Sequence, residues 1–131
     1  MKKSNFVAFS FCLLLLLWAS NAMGQRTSLI SFNSAGTGSA NNASGSNYAT
    51  SPDGRFIAFA SAASDLGPTD TNNLEDIYLR DTLTGATSLV SANYAGTNGG
   101  NNGSTTAISV SADGRYVLFS SNANDLVTND T

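Results

Sequence analysis

Residues 27–71 and 87–131 align at a constant offset of 60 positions with no gap, and 22 of the 45 paired residues are identical. Thr27-Ser28-Leu29-Ile30-Ser31 returns as Thr87-Ser88-Leu89-Val90-Ser91, and Asn41-Asn42-x-Ser44 as Asn101-Asn102-x-Ser104. The longest match sets Ser51-Pro52-Asp53-Gly54-Arg55-Phe56-Ile57-Ala58-Phe59 against Ser111-Ala112-Asp113-Gly114-Arg115-Tyr116-Val117-Leu118-Phe119. A bias toward Ser, Asn and Gly inflates such a count, but it cannot generate the Asp-Gly-Arg match with its apolar run. A fixed period of this kind marks a supersecondary unit that covers its apolar face by stacking on a neighbour. That requirement constrains the fold more than any other feature of the chain.

Within a unit the local pattern is strand and turn. Phe56–Ala60 is apolar almost without interruption, which fits a strand covered on both faces. Asp53-Gly54 ahead of it supplies turn chemistry, Gly54 being free to take a positive φ. Ile77-Tyr78-Leu79 alternates as a second strand, and Asp81–Gly85 turns the chain into a third at Ser88-Leu89-Val90. Residues 47–50, matched by 107–110, supply a short first strand. No helical period occurs outside the first two dozen residues. The expected class is all-β, with units of four short antiparallel strands.

These residues resemble a known family. Ser51–Phe59, Asp76–Asp81 (DIYLRD), Thr84-Gly85 and Ser88–Ser91 (SLVS) are similar to the WD-repeat-like blades of TolB-type β-propellers, in the long-repeat branch found in exported bacterial proteins. The resemblance spans 27–131 and implies an architecture; it does not name a chemistry, because such propellers serve mostly as interaction platforms. The 60-residue unit exceeds the usual ~40–45 of a propeller repeat. The excess lies in the Asn/Gly/Ser-rich stretches 33–46 and 93–106, whose repeated lettering argues for packed loops closed by Asn side chains. The reading is a last-strand segment at 27–32, a full blade over 47–91 and the start of the next over 107–131. Closed propellers have about 4–8 blades, so the expectation is an incomplete N-terminal piece, 25–131, whose remaining blades come from a longer chain.

Residues 1–24 read as a secretory signal peptide. Lys2 and Lys3 precede an apolar run from Phe6 to Trp18, then small residues at Ala19, Ser20 and Ala22. About 13 apolar residues fall short of the roughly 20 needed to span a bilayer, so no stable membrane insertion is expected after cleavage. The protein is then exported to the periplasm, cell surface or medium. Cleavage after Ala22 or Gly24 removes both lysines and Cys12, leaving four Arg against nine Asp/Glu with no His, Lys or Cys. That inventory excludes disulfides, Ser-His-Asp and Cys-His triads, a Ser-Lys dyad and zinc. An acidic balance gives no footprint for nucleic acid.

Candidate sites are few. Asp70, Asn72, Glu75 and Asp76 offer the oxygen ligands that calcium prefers, with Asp65 and Asp125 nearby in their units, but the full calcium-loop pattern is absent. The competing reading is a hydrogen-bonded turn. Asp53-Gly54-Arg55 and Asp113-Gly114-Arg115 read as structural turns, with Arg55 reaching Asp81 on a neighbouring strand. No catalytic residue is expected and no cofactor beyond calcium. The function expected is a non-catalytic scaffold for a protein or polysaccharide partner. The alternative is the propeller part of an exported hydrolase whose catalytic residues lie beyond this chain.

Overall fold

The computed structural model describes residues 27–67 and 70–129; the leader and the Asp130-Thr131 pair of the repeat lie outside the described residues. Six strands follow in order: β1 (Ser44–Thr50), β2 (Phe56–Ser61), β3 (Asp76–Asp81), β4 (Thr87–Leu89), β5 (Ser104–Val110) and β6 (Val117–Ser121). The fold is all-β, with no helix among the described residues. The first four strands form one antiparallel sheet in sequence order, and β5 and β6 form a second. The first strand of each unit begins earlier than the pattern at 47 and 107 predicted, because Ser44 pairs with Ser61 and Ser104 with Ser121 beyond an irregularity in the ladder. The copies of those two ladders differ by one residue. Ala107 stands opposite Phe119 where Tyr48 stands opposite Phe59, the bulge between Ala107 and Ser109 taking up the difference.

The segment 27–32, expected as a last strand, does not form one. Its only pairing is an isolated bridge from Phe32 to Ser39, repeated as Ala92 to Gly99. The same letters at Thr87–Leu89 become β4 because β3 offers an edge beside them. No strand among the described residues lies beside 27–31. Identical sequence therefore takes different structure according to its available partner.

The two sheets stack face to face. Ala49, Ala58, Ala60 and Ile77 of the first meet Ala107 and Val110 of the second, with Phe56, Leu79, Val90, Val117 and Phe119 around them. Three alanines on one face let the backbones approach closely, and Ala58, Ala60 and Ile77 are fully buried there. A smaller cluster on the other face of the first sheet gathers Phe59, Ala63, Leu66 and Tyr78, with Ile30, Ala40 and Leu89. The expectation of a strand covered on both faces holds for β2 on this account, since Ala58 and Phe59 are both buried.

The long loops are packed as their lettering predicts. Asn33 Oδ1 accepts from Thr37 N at 2.9 Å and Asn93 Oδ1 from Thr97 N at 3.0 Å, around turns in which Gly36 and Gly96 have φ of 66° and 65°. Asp65 and Asp125 then fasten each loop, each accepting from the backbone of Asn41 or Asn101 at 2.9 Å.

Candidate functional site

The two Asp-Gly-Arg turns are built alike. Ser51 Oγ donates to Asp53 Oδ1 at 2.6 Å and accepts from Phe56 N at 2.9 Å, while Arg55 N donates to Asp53 Oδ1 at 3.0 Å. In the copy, Ser111, Asp113, Arg115 and Tyr116 make the same bonds at 2.7, 3.0 and 3.1 Å. Gly54 and Gly114 take φ of 72° and 69°. The hydroxyl and amide donors hold both Asp53 and Asp113 below the usual carboxylate range, Ser51 and Ser111 being the largest cause in each. Both turns are thus closed in the same way around Asp53 and Asp113. Arg55 also reaches Asp81, donating from Nε at 3.0 Å and from Nη2 at 2.8 Å. This bidentate pair depresses the Asp81 carboxyl strongly and raises Arg55.

Of the four residues read as calcium ligands, Asp70, Asn72 and Glu75 fall in the connection from β2 to β3 and Asp76 is the first residue of β3. Asn72 Nδ2 donates to Asp76 Oδ2 at 2.8 Å and to Gly100 O at 2.9 Å, while its Oδ1 accepts from Leu74 N at 2.8 Å. Asp76 Oδ1 accepts from Ser91 Oγ at 2.5 Å, and Ser91 Oγ in turn accepts from Ile77 N at 2.9 Å. Every side-chain oxygen of Asn72 and Asp76 thus faces a protein donor. A calcium ion wants roughly six to eight oxygens, and each of these three already accepts one protein hydrogen bond. Among the described residues no three acids gather as a metal site. Asp70 is separate: it is buried beneath Tyr78, whose hydroxyl lies between the Asp70 carboxylate and Ala63 O at 3.0 Å. Among the described residues Asp70 Oδ1 has no partner. Burial is the main cause raising Asp76, with repulsion from Asp70 and Asp125 adding to it, and burial likewise pushes the Tyr78 hydroxyl up.

What Asn72 and Asp76 do is hold the next loop. Besides the Gly100 bond, Thr71 N donates to Asn98 Oδ1 at 2.8 Å and Ser104 N donates to Glu75 O at 2.7 Å. Gly99 passes so close that a Cβ there would overlap the Asn72 amide and the Asp76 carboxylate. The first loop carries Ser39 and Ala40 where the second has Gly99 and Gly100. This difference was the available sequence signal for the clasp.

Sequence reasoning missed a cleft of about 510 Å3 beside the first sheet, lined by Phe32, Ser34, Leu66, Gly67, Arg80 and Gly85 among others. Arg80 Nη1 donates to Thr87 Oγ1 at 2.9 Å, and the guanidinium lies 5.8 Å from the centre of the Phe32 ring. Nη2 faces Gly85, where even an added Cβ would stand 3.6 Å away. Among the described residues Arg80 has no carboxylate partner; the ion pair they contain is Arg55–Asp81. An unpaired guanidinium in a cleft of this size can receive an anionic group. Next to it, Ile30, Tyr48, Thr50, Ile57 and Phe59 line an apolar groove of about 300 Å3. No protein-family model, curated protein sequence or solved structure matches this chain.

Proposed function

We propose that the chain is part of an exported β-propeller of the TolB type and acts as a non-catalytic scaffold for a polysaccharide or protein partner. The blade reading is supported by the equivalence of faces. Ala107, Val110, Val117 and Phe119 pack the second sheet onto the first, and their counterparts Tyr48, Thr50, Ile57 and Phe59 line the open groove on the first sheet. A unit whose one face receives a copy, and whose other face would fit a copy, is what radial repetition requires. The scaffold reading is supported by how the polar side chains are used. Asp53, Asp65, Asp81, Asp113 and Asp125 all accept backbone hydrogen bonds that close turns or fasten loops.

The observation that carries the binding role is the Phe32–Arg80 cleft, an anion-accepting pocket on a rigid sheet. Affinity electrophoresis of the full chain through polygalacturonate, alginate and neutral dextran gels tests it. Retardation by an acidic gel, weakened by Arg80→Gln, is expected. Equal migration in all three gels, or hydrolysis of any of the polymers, overturns the reading. Export is tested separately by the mass of the protein recovered outside the cytoplasm, which should lack residues up to Ala22 or Gly24.

A further inference from the structure

Asn-Gly pairs stand at Asn98-Gly99 and Asn102-Gly103 in the second loop, and the first loop carries Asn42-Ala43 at the position of Asn102-Gly103. Gly103 N donates to Asn102 Oδ1 at 2.8 Å, and Ala43 N donates to Asn42 Oδ1 at the same 2.8 Å. Gly103 precedes β5, so its N–H lies outside the ladder and is held by the side chain of its own neighbour. The backbone nitrogen thus rests beside the carboxamide, and Asn102 is exposed. Asn42 is exposed as well, although the second sheet is stacked on its own, so this exposure does not depend on what stacks on the second sheet. Asn98 differs. Its Oδ1 accepts from Gly99 N at 2.9 Å and also from Thr71 N at 2.8 Å, and Gly99 is buried against Asn72 and Asp76.

We propose that Asn102-Gly103 is a self-modification site, at which the asparagine loses ammonia and becomes a mixture of isoaspartyl and aspartyl residues. Gly103 N attacks Asn102 Cγ, and the new C–N bond closes a five-membered imide. The side-chain nitrogen leaves as ammonia, taking the proton lost by Gly103 N. Water then adds to one of the two imide carbonyls and opens the ring. The product carries either a side-chain carboxylate or a backbone that runs through Cβ and Cγ. Proximity supplies the rate, and glycine supplies access, since no Cβ hinders its nitrogen and its backbone turns freely. Ala43 removes that access in the first loop, and the packing around Gly99 removes the needed movement at Asn98. The reacting pair lies between two anchored points. Asn101 is fastened through its N to Asp125 at 2.9 Å and through Nδ2 to Asn124 at 2.6 Å. Ser104 is buried, its N donating to Glu75 O at 2.7 Å and its Oγ to Ser121 Oγ at 2.8 Å. An isoaspartyl link inserts one more backbone carbon between these anchors, so the entry to β5 is loosened. The inference is independent of the propeller and polysaccharide readings above.

The full chain is held at mildly alkaline pH, folded in one sample and unfolded in urea in another. Tryptic peptides 27–55 and 81–115, which carry Asn42 and both Asn-Gly pairs, are then followed by fragment-ion mass spectrometry. In the folded chain a gain of about one dalton is expected at residue 102 and at neither 98 nor 42. In urea residues 98 and 102 should convert at similar rates, which assigns the protection of Asn98 to the fold. Gly103→Ala should slow conversion about tenfold. An added Cβ there meets nothing nearer than 3.8 Å, and the first loop already carries Ala43, so the variant keeps its fold. The aged chain, separated by its added charge, should show faster amide exchange at Ser104, whereas Asn102→Asp, with the charge but no extra backbone carbon, should not. The proposal is overturned if residue 102 keeps its amide in the folded chain while converting in urea. Equal conversion of Asn98 and Asn102 in the folded chain, an unchanged rate in Gly103→Ala, or Ser104 exchange in the aged chain no faster than in Asn102→Asp would overturn it too.

Discussion

At Ser51 a single hydroxyl decides a turn. It is buried, donates to Asp53 and accepts from Phe56 N, so it both orients the acid and satisfies the first amide of β2. Ser51→Ala leaves that amide without a partner and the Asp53 carboxylate with only the Arg55 N donor, and should cost about 1–2 kcal/mol in a denaturant melt. Tyr78 sets the alkaline limit. Burial raises its hydroxyl far above the ordinary 10.0, so the folded chain keeps a proton that the unfolded chain releases. Stability should therefore be flat up to about pH 10 and fall as pH rises beyond it, and the part of that slope due to Tyr78 should disappear in Tyr78→Phe. On the acid side the signs are mixed. Asp53, Asp81 and Asp113 are depressed, so their contribution is present above the usual 3.8 and is lost as pH falls through and below it. Asp76 is raised and acts in the opposite sense, adding stability as pH falls and it takes up a proton before the unfolded chain does.

Between elements, the repeat's departures carry more information than its identities. Ala58 lies between the two sheets, while Leu118 at the same repeat position faces outward. Ala58→Leu should cost about 1–3 kcal/mol through overpacking, and Leu118→Ala should leave the thermal midpoint nearly unchanged. Gly99 is a second such departure, since Asn72 and Asp76 occupy the space its Cβ would need. Gly99→Ala should loosen the clasp between the β2–β3 connection and the second loop, seen as faster amide exchange at Ser104 and Gly100. Ser39→Gly, its counterpart in the first loop, should show no such change.

For the whole molecule, the stacking of two unequal sheets is what a repeat with a one-unit offset produces. The face that buries Ala107 and Phe119 is polarised against the face that buries Ala58 and Ile77, so the contact is head to tail rather than self-complementary. Such contacts propagate, which is why the groove beside Tyr48 and the exposed Leu118 lie at opposite ends of the stack. Because the interface is apolar and the acids are spent on turns, the thermal midpoint of the full chain should be the same, within about a degree, with calcium or with a chelator. A calcium-dependent rise of several degrees would sink that account and return Asp70 to consideration as a ligand.

Much of this was legible in the letters. The turns at Asp53 and Asp113, the pairing of Arg55 with Asp81, the apolar run of β2 and the closure of the loops by Asn33 and Asn93 all follow from local chemistry at fixed spacing. Those features depend on residues a few positions apart, on the repeat, or, for Arg55 and Asp81, on two ends of neighbouring strands 26 positions apart. The fate of 27–32 against 87–89 was not legible, because a strand exists only beside a partner edge. Nor were the roles of Arg80, Tyr78 and Gly99. Each depends on groups 8 to 48 positions away that the sheets bring together, Phe32 under Arg80, Asp70 and Ala63 beside Tyr78, and Asn72 and Asp76 against Gly99. Sequence alone determined the turns and the strand-forming segments of this protein, because their physics is local. Tertiary structure decided which glycine is closely packed and where a cleft opens, because those depend on the distance between elements.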